Sequence, residues 1–228
     1  MYVPKLYNGI KVERYNVASL AAAQRVMDHP VGKRCLHAAM VYGTTAIHVD
    51  IESTQKSLTD CAIAGYDMPV ETNELVDEMP WQPINCMLKE GESLSILGSS
   101  LTLAAEVSLY VAWTKGRMGP EMRYSYHTYT AVATDVPAVL APATFPDFAK
   151  TLKLAQTRGI NLEATNFDIG GTETGWIDGR NCSALADIVV PAQWQQCDVA
   201  QIGGRTVTAK TSNVGATGTS DAIFGWTV

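Results

Sequence analysis

The chain has 228 residues, of which 46% are hydrophobic and only 18% are charged, and its formal net charge is −6. This acidic balance, without a cluster of lysine and arginine, argues against direct binding to duplex nucleic acid. No apolar run reaches the 18 or so residues that a transmembrane helix needs, and no signal-peptide pattern opens the sequence, so we expect a protein made in the cytoplasm. The low share of charge predicts a surface covered by copies of the chain, and therefore a homo-oligomer.

The cysteines indicate neither a disulfide framework nor a zinc site, because their number is odd and no C-x-x-C pair occurs. We expect most of them to be small buried side chains and predict no metal or other cofactor. The five are Cys35, Cys61, Cys86, Cys182 and Cys197.

Residues 1–34 are predicted to form an N-terminal arm with a short helix. Asn8-Gly9 is a pair that tolerates two positive φ angles, and it indicates a small hairpin or an extended arm. Asn16 can cap a helix over residues 17–27, which are rich in helix formers. The arm could reach a neighbouring subunit or cover one end of its own sandwich, and the sequence leaves both possibilities open.

The next segment predicts a hairpin, with strands at Leu36–Tyr42 and Thr45–Glu52. Residues 53–83 are less regular and predict a long surface excursion of open role. Its acidic residues indicate a solvated acidic face rather than the pair of carboxylates that a glycoside hydrolase uses for catalysis. They are Glu71, Glu74, Asp77 and Glu78.

The hairpin carries the first candidates for catalysis or metal binding. His37 and His48 would face each other, and Cys35 would share a strand face with His37 as a possible nucleophile. A metal site would use His37, His48 and Asp50, with no further ligand specified. Because no nucleophile elbow or oxyanion loop accompanies these residues, we favour a structural role for them.

Residues 101–114 alternate with a period of two, which predicts a long strand with one apolar face and one polar face. A helix would spread the same apolar residues around its circumference. The odd positions are Leu101, Leu103, Ala105, Val107, Leu109, Val111 and Trp113.

Further strands are predicted after this segment, together with a helix at Phe148–Thr157 that follows Pro146-Asp147. Glycine and threonine predict loops at residues 170–179 and 213–220. The strand candidates are residues 122–133, 160–169, 186–190, 205–211 and 222–228.

Two motifs allow a ligand-binding interpretation. Asp168-Ile169-Gly170-Gly171-Thr172 resembles the phosphate loop of sugar kinases and actin-like ATPases, but too few residues follow it for that fold, and a plain turn is favoured. Tyr124, Tyr126 and Tyr129, beside Arg123, could form an aromatic strip for sugar or base stacking. We favour ordinary packing or interface roles for these tyrosines.

Many short strands with Gly, Pro and Thr turns predict a mainly β protein, a single jelly-roll-like β-sandwich spanning residues 35–228 with one or two short helices. Leu88-x-x-Gly91-Glu92-x-Leu94-x-Ile96, the long alternating strand and the sparse charge resemble the single jelly-roll shell proteins of icosahedral viruses and bacteriophages.

That resemblance implies a capsid shell subunit in the virion, without catalytic residues, that assembles side by side with copies of itself and with other virion proteins. The alternatives are a phage tail-tube or head-completion protein, or a carbohydrate-binding β-sandwich that uses Tyr124 and Tyr126. An enzyme is not expected.

Overall fold

The computed structural model describes residues 10–17, 24–27, 32–43, 48–53, 62–67, 81–92, 94–99, 107–115, 119–130, 136–159, 162–181, 194–213 and 218–228. Within these ranges the regular structure consists of sixteen β-strands and no helix. The predicted mainly β, jelly-roll-like class is confirmed.

The strands fall into two compact units, where the sequence predicted one sandwich. Unit 1 comprises residues 1–123 with 189–191, and unit 2 comprises residues 124–188 with 192–228. Each unit contains one eight-stranded sheet. The division into an arm over residues 1–34 and a body over 35–228 stays a prediction, because much of the first segment lies outside the described residues.

Unit 1 has the strand order β1-β8-β3-β5-β4-β7-β2, and β6 also pairs with β3. Its strands are β1 (Lys11–Val17), β2 (Gln24–Met27), β3 (Arg34–Gly43), β4 (His48–Ser53), β5 (Ala62–Asp67), β6 (Gln82–Leu88), β7 (Leu94–Ser99) and β8 (Val107–Thr114).

The predicted hairpin between β3 and β4 is wrong, although both strands exist. β5 lies between them, parallel to β3 and antiparallel to β4. His37 and His48 therefore do not face each other across a shared ladder. The helix predicted over residues 17–27 is also wrong where it is described, since Gln24–Met27 is a strand paired with β7.

The extended character of the central segment is confirmed for β8, while residues 101–106 lie outside the described part. Its polar face, which the sequence predicted to meet water or a polar partner, is covered by neighbouring strands. Ser108 and Thr114 are buried, and Ala112 is fully so. β8 lies between β1 and β3, and Arg14 of β1 donates a hydrogen bond from Nη2 to Ser108 Oγ at 3.0 Å.

The Gly91-Glu92 motif is a tight turn between β6 and β7. Gly91 has φ +81°, a conformation that favours glycine. Glu92 is buried, and one of its carboxylate oxygens accepts the backbone N–H of Lys89 at 2.7 Å. The positive φ angle of Gly91 and the carboxylate of Glu92 thus stabilise this turn.

Unit 2 has the strand order β13-β12-β15-β10-β9-β16-β11-β14, and the order closes on itself because β13 also pairs with β11. Its strands are β9 (Met122–Thr130), which begins at the unit boundary, β10 (Ala138–Thr144), β11 (Thr151–Gly159), β12 (Leu162–Ile169), β13 (Thr172–Asn181), β14 (Gln195–Ala200), β15 (Thr206–Asn213) and β16 (Thr219–Thr227).

Aromatic side chains fill the core of unit 2. The ring centroid of Phe224 lies 4.8 Å from that of Phe167 and 5.4 Å from that of Phe145, in edge-to-face arrangements. Trp226 is fully buried beside them on β16. Phe167 lies on β12, Phe224 and Trp226 lie on β16, and Phe145 directly follows β10, so several strands of unit 2 supply this core.

Two local predictions in unit 2 are wrong. The helix predicted at Phe148–Thr157 is largely β11, which pairs with β16 on one side and with β14 on the other. These ladders override the local helix preference. The loop predicted over residues 170–179 is mostly β13, because Thr172, Glu173 and residues 176–178 pair with β12 and Gly179 pairs with β11.

Candidate assembly surface

One exposed stretch of unit 2 lacks charge altogether. Residues 136–146 contain no Asp, Glu, Lys, Arg or His, and three of them are prolines. We call residues 136–144 the β10 strip. Within it Ala138 and Leu140 point into the core and are buried, whereas Val139 points outward.

The strip is only loosely held by its neighbouring strands. Val139 pairs with Thr208 of β15, and the next paired residue is Thr144, opposite Thr206. The residues between them form an irregularity in that ladder, and β9 pairs with the strip at Ala141. Such bulges redirect side chains away from a regular sheet.

The strip presents large apolar side chains to solvent. Val139 is 62% exposed and Val136 is 46% exposed. Ala141, Pro142 and Thr144 are exposed as well. An uncharged apolar surface of this kind is what the centre of a protein–protein contact requires, since charged residues are depleted there.

A buried histidine anchors the strip from below. His127 Nδ1 lies 2.7 Å from the carbonyl oxygen of Pro142, and its Nε2 lies 2.9 Å from Ser125 Oγ. Burial lowers the pKa of His127 to about 4, so the ring is neutral near pH 7. Because a carbonyl only accepts, Nδ1 carries the proton, and Nε2 accepts the hydroxyl of Ser125.

The anchor continues into the aromatic core. Trp226 Nε1 donates to Ser125 Oγ at 3.2 Å, and the His127 ring lies 5.0 Å from Phe224 and 5.6 Å from Phe145 between centroids. Each polar atom of this chain of groups has a partner, as buried polar groups require. The position of the Pro142 backbone is therefore fixed by the core.

The tyrosines that the sequence put forward for ligand stacking do not form an open platform. Tyr124 is fully buried, with its ring 5.4 Å from that of Trp194. Tyr126 donates its hydroxyl proton to Asp221 Oδ1 at 2.7 Å. Tyr129 is buried, and burial raises the pKa of its hydroxyl to about 12.

The hydroxyl of Tyr129 belongs to a second internal network. It lies 2.6 Å from Thr157 Oγ1 and 2.8 Å from Thr165 Oγ1. Thr157 in turn donates to the carbonyl oxygen of Asp221 at 2.8 Å. The network joins β9, β11, β12 and β16, so Tyr129 stabilises the fold.

The residues proposed for nucleophilic or metal chemistry are built into unit 1. Cys35 is fully buried, and His37 is buried with its Nδ1 2.9 Å from Asn85 Oδ1. His37 sits where the β3 ladders shift register. The side chains of His48 and Asp50 lie outside the described residues, as does the acidic set Glu71, Glu74, Asp77 and Glu78.

The described side chains include no group of three or more His, Cys, Asp and Glu that could hold a metal ion. None of the three described cysteines forms a disulfide; Cys35 and Cys86 are buried, and burial raises the pKa of the partly buried Cys197 to about 11.

The glycine motif of β12 and β13 is a two-residue hairpin turn. Ile169 pairs with Thr172, and Gly170 and Gly171 have φ +58° and +92°. Positive φ at both central residues is the requirement of a type I′ turn. The carboxylate of Asp168 accepts the N–H of Gly171 at 2.6 Å, so it closes the turn.

The β10 strip and its anchor were not predicted from the sequence. The sequence does contain a signal for the strip, because residues 136–146 carry no charged side chain. The prolines in this run indicated only that regular structure is interrupted there. The role of His127 could not be predicted locally, because only Ser125 is near it in sequence, whereas Pro142 and Trp226 are brought to this group by the pairing of other strands.

No model of a protein family matches the chain, and no curated protein matches it. Among solved structures it is similar to the major capsid protein P2 of bacteriophage PM2, with 9% identity, a TM-score of 0.47, and coverage of 95% of this chain and 97% of that one.

The chain is also similar to PBCV-1 VP54, a structure fitted into a cryo-EM reconstruction of the virophage Sputnik, with 7% identity, a TM-score of 0.34 and coverage of 99% and 95%. A third match is the conserved protein PA5104 of Pseudomonas aeruginosa PAO1, of unknown function, with 9% identity, a TM-score of 0.27 and coverage of 95% and 80%.

The first of these is a bacteriophage capsid protein, the class of protein that the sequence resembles. Because all three TM-scores are below 0.5, the functional proposal below rests on the residues of this chain. Over the residues that the structure describes, no helix has the length and apolar character to cross a membrane.

Proposed function

We propose that the chain is a viral or bacteriophage structural protein, a capsid shell subunit that assembles side by side with copies of itself. The observation that carries this proposal is the β10 strip, with Val139 62% exposed in a segment without charge. Exposed apolar surface of this kind marks protein contacts in soluble proteins. The virion is then its location, and other virion proteins are further partners.

The β10 strip suits repeated contacts because it is both neutral and anchored. A stable contact buries about 1,200–2,000 Å² in total, so Val139 and Val136 would lie at the centre of a larger patch. The bond of His127 to Pro142 fixes the backbone before assembly. A preformed surface loses less conformational freedom on association than a loose one.

A structural role also fits the state of the polar side chains that the sequence put forward for catalysis. Cys35 and His37 are buried in unit 1, and His127 is buried in unit 2. The hydrogen bonds of both histidines lead to groups of the chain itself. The burial and the internal contacts of these side chains explain their presence without a role in binding a substrate.

The test compares one charge placed in the β10 strip with the same charge placed elsewhere. Val139→Asp would put a carboxylate into the proposed contact, and Val12→Asp is the matched control, because Val12 is 45% exposed among the charged residues of β1. Mass photometry and negative-stain microscopy of the full chain would measure assembly against protein concentration.

We expect wild type and Val12→Asp to form trimers or shells, and Val139→Asp to require at least about 30-fold higher concentration, as a cost of about 2 kcal/mol per contact implies. Monomers at micromolar concentration in every salt condition would overturn the proposal. Isolated rings alone would instead favour the tail-tube or head-completion alternative.

A further inference from the structure

A second feature of unit 2 begins on β15, the strand next to the β10 strip, and extends over the outward side of β15, β12 and β13. Trp176 is directly opposite Asn166, and Asn166 is directly opposite Lys210. Side chains that oppose each other in antiparallel strands are neighbours on one face of the sheet. These three therefore form a row across the sheet.

Glu173 contacts two side chains of this row, Asn166 and Lys210. One of its carboxylate oxygens accepts a hydrogen bond from Asn166 Nδ2 at 3.0 Å, and the other lies 3.7 Å from Lys210 Nζ. We call Trp176, Asn166, Glu173 and Lys210 the Trp176 site. The Glu173 and Lys210 side chains remain 54% and 41% exposed, so both can also contact a ligand.

The indole of Trp176 is 51% exposed, and it is the largest of the exposed apolar side chains. A tryptophan combines a wide apolar face with one N–H donor, and it costs little conformational entropy when it binds. Its position beside three polar side chains gives the site an apolar plate with hydrogen-bonding groups along one edge.

Asn166 supplies the second, independent observation. Its side chain is 8% exposed, and its Oδ1 has no hydrogen-bond partner. Because Nδ2 donates to Glu173, the orientation of the amide is settled and Oδ1 is the unpaired acceptor. A buried acceptor without a donor costs about 1–3 kcal/mol. The site therefore lacks one hydroxyl or N–H donor.

We propose that the Trp176 site binds a pyranose unit of a neutral carbohydrate. A pyranose ring has an apolar C–H face that can stack on the indole, and hydroxyl groups around its rim. One hydroxyl would donate to Asn166 Oδ1 and another to Glu173, while Lys210 would donate to a third.

The four side chains differ from those of the β10 strip in the chemistry they offer. The strip is uncharged and offers mainly apolar contact, whereas the Trp176 site pairs one aromatic plate with a buried acceptor, a carboxylate and an ammonium group. A pyranose uses all four groups, and this fit favours a saccharide over a flat apolar protein surface. The inference does not depend on self-assembly.

The experiment applies the full-length chain to an array of immobilised oligosaccharides of glucose, galactose, mannose and N-acetylglucosamine. Any binder is then titrated in solution by isothermal titration calorimetry, which does not depend on the Trp176 indole as a reporter. The variants are Trp176→Ala and Asn166→Ala, and Phe148→Ala is the matched control, because Phe148 is an aromatic residue of unit 2 that is 48% exposed. Thermal unfolding of each variant checks its fold.

We expect at least one oligosaccharide to bind, with affinity at least tenfold lower in Trp176→Ala and unchanged in Phe148→Ala. Asn166→Ala should weaken binding about tenfold if it folds, and Trp176→Ala decides the outcome if it does not. Absence of saccharide binding, or equal binding by Trp176→Ala, would overturn the inference. Loss of self-assembly in Trp176→Ala without saccharide binding would overturn it in favour of a protein contact.

Discussion

β1 and the β10 strip are two surface strands built from opposite kinds of side chain. β1 ends the strand order of unit 1 and exposes Lys11 and Arg14, whereas the β10 strip lies inside the strand order of unit 2 and exposes Val136 and Val139. A strand at the end of a sheet can pair with another chain, and charge discourages that pairing. An interior strand carries no such risk, so it can expose apolar residues.

The two strands are also fixed in place by different means. Around β1, charged groups lie on an aromatic ring of β8: Lys11 Nζ of β1 is 5.3 Å and Arg34 Cζ of β3 is 4.0 Å from the ring centroid of Trp113. Under the β10 strip, a neutral histidine bonds to a backbone carbonyl within an aromatic core. We infer that salt and solvent act mainly on the first region, while core packing and proton binding act on the second.

The largest effect should follow from removing the core beneath the β10 strip. Phe224→Ala leaves a cavity among Phe145, Phe167 and His127, and we expect the free energy of unfolding to fall by about 3–5 kcal/mol. Denaturant titration would measure the change. Val228→Ala, at a position 40% exposed, should stay within about 0.5 kcal/mol of wild type. Equal losses in both variants would mean that the strip does not depend on these rings.

The next effect should come from protonation of His127. Its pKa is about 4 in the folded chain and 6.5 in the unfolded chain, so the unfolded chain binds more protons between these values. The stability that depends on neutral His127 is complete above about pH 6.5 and is lost as the pH falls towards 4. We expect about 3 kcal/mol of loss at pH 4 from this group alone.

The variant His127→Gln separates the effect of His127 on stability from that of carboxylates, which titrate over a similar range of pH. A glutamine amide can donate to the carbonyl of Pro142 and accept from Ser125, but it does not titrate. Urea unfolding from pH 7 to pH 4 should therefore show a steeper loss in wild type than in His127→Gln. Parallel curves for the two proteins would show that His127 does not govern the pH response of the β10 strip.

The sequence predicted what depends on local alternation and missed what depends on the closure of each sheet. β12, β15 and β16 lie where their apolar patterns indicated, and Gly170-Gly171 is the turn that two glycines favour. Residues 148–157 contain good helix formers, yet they pair with β16 and β14, and no local pattern encodes those partners.

The site residues show the same limit. In the sequence, Val139 and Trp176 cannot be distinguished from other apolar strand residues. Their exposure depends on how their strands are arranged in the folded chain. Tyr124 and Tyr126 were proposed as an open strip because they share a strand face, but unit 2 buries Tyr124 beside Trp194. Alternation identifies which residues share a face, whereas the arrangement of the other strands decides whether that face meets solvent.

The smallest effect should come from the charged residues around β1, where Arg34 of β3 pairs with Glu13 of β1. Arg34 stacks on Trp113, and its Nη1 lies 3.7 Å from Glu13 Oε2. A partly exposed cation–π contact and a partly exposed ion pair each contribute about 1 kcal/mol or less, so Arg34→Ala should lower the free energy of unfolding by about 1 kcal/mol. Lys33→Ala, at the exposed preceding position, should change it by less than about 0.5 kcal/mol.

Salt separates the two contributions of Arg34. Raising NaCl from 0.05 to 1 M, a range over which the Debye length falls to about 3 Å, weakens the ion pair with Glu13 more than the contact with the buried Trp113 ring. Urea unfolding should therefore show a smaller difference between wild type and Arg34→Ala at high salt, without its disappearance. A loss above 3 kcal/mol at both salt concentrations would assign Arg34 to the core of unit 1, and β1 would then owe its stability to packing, as the β10 strip does.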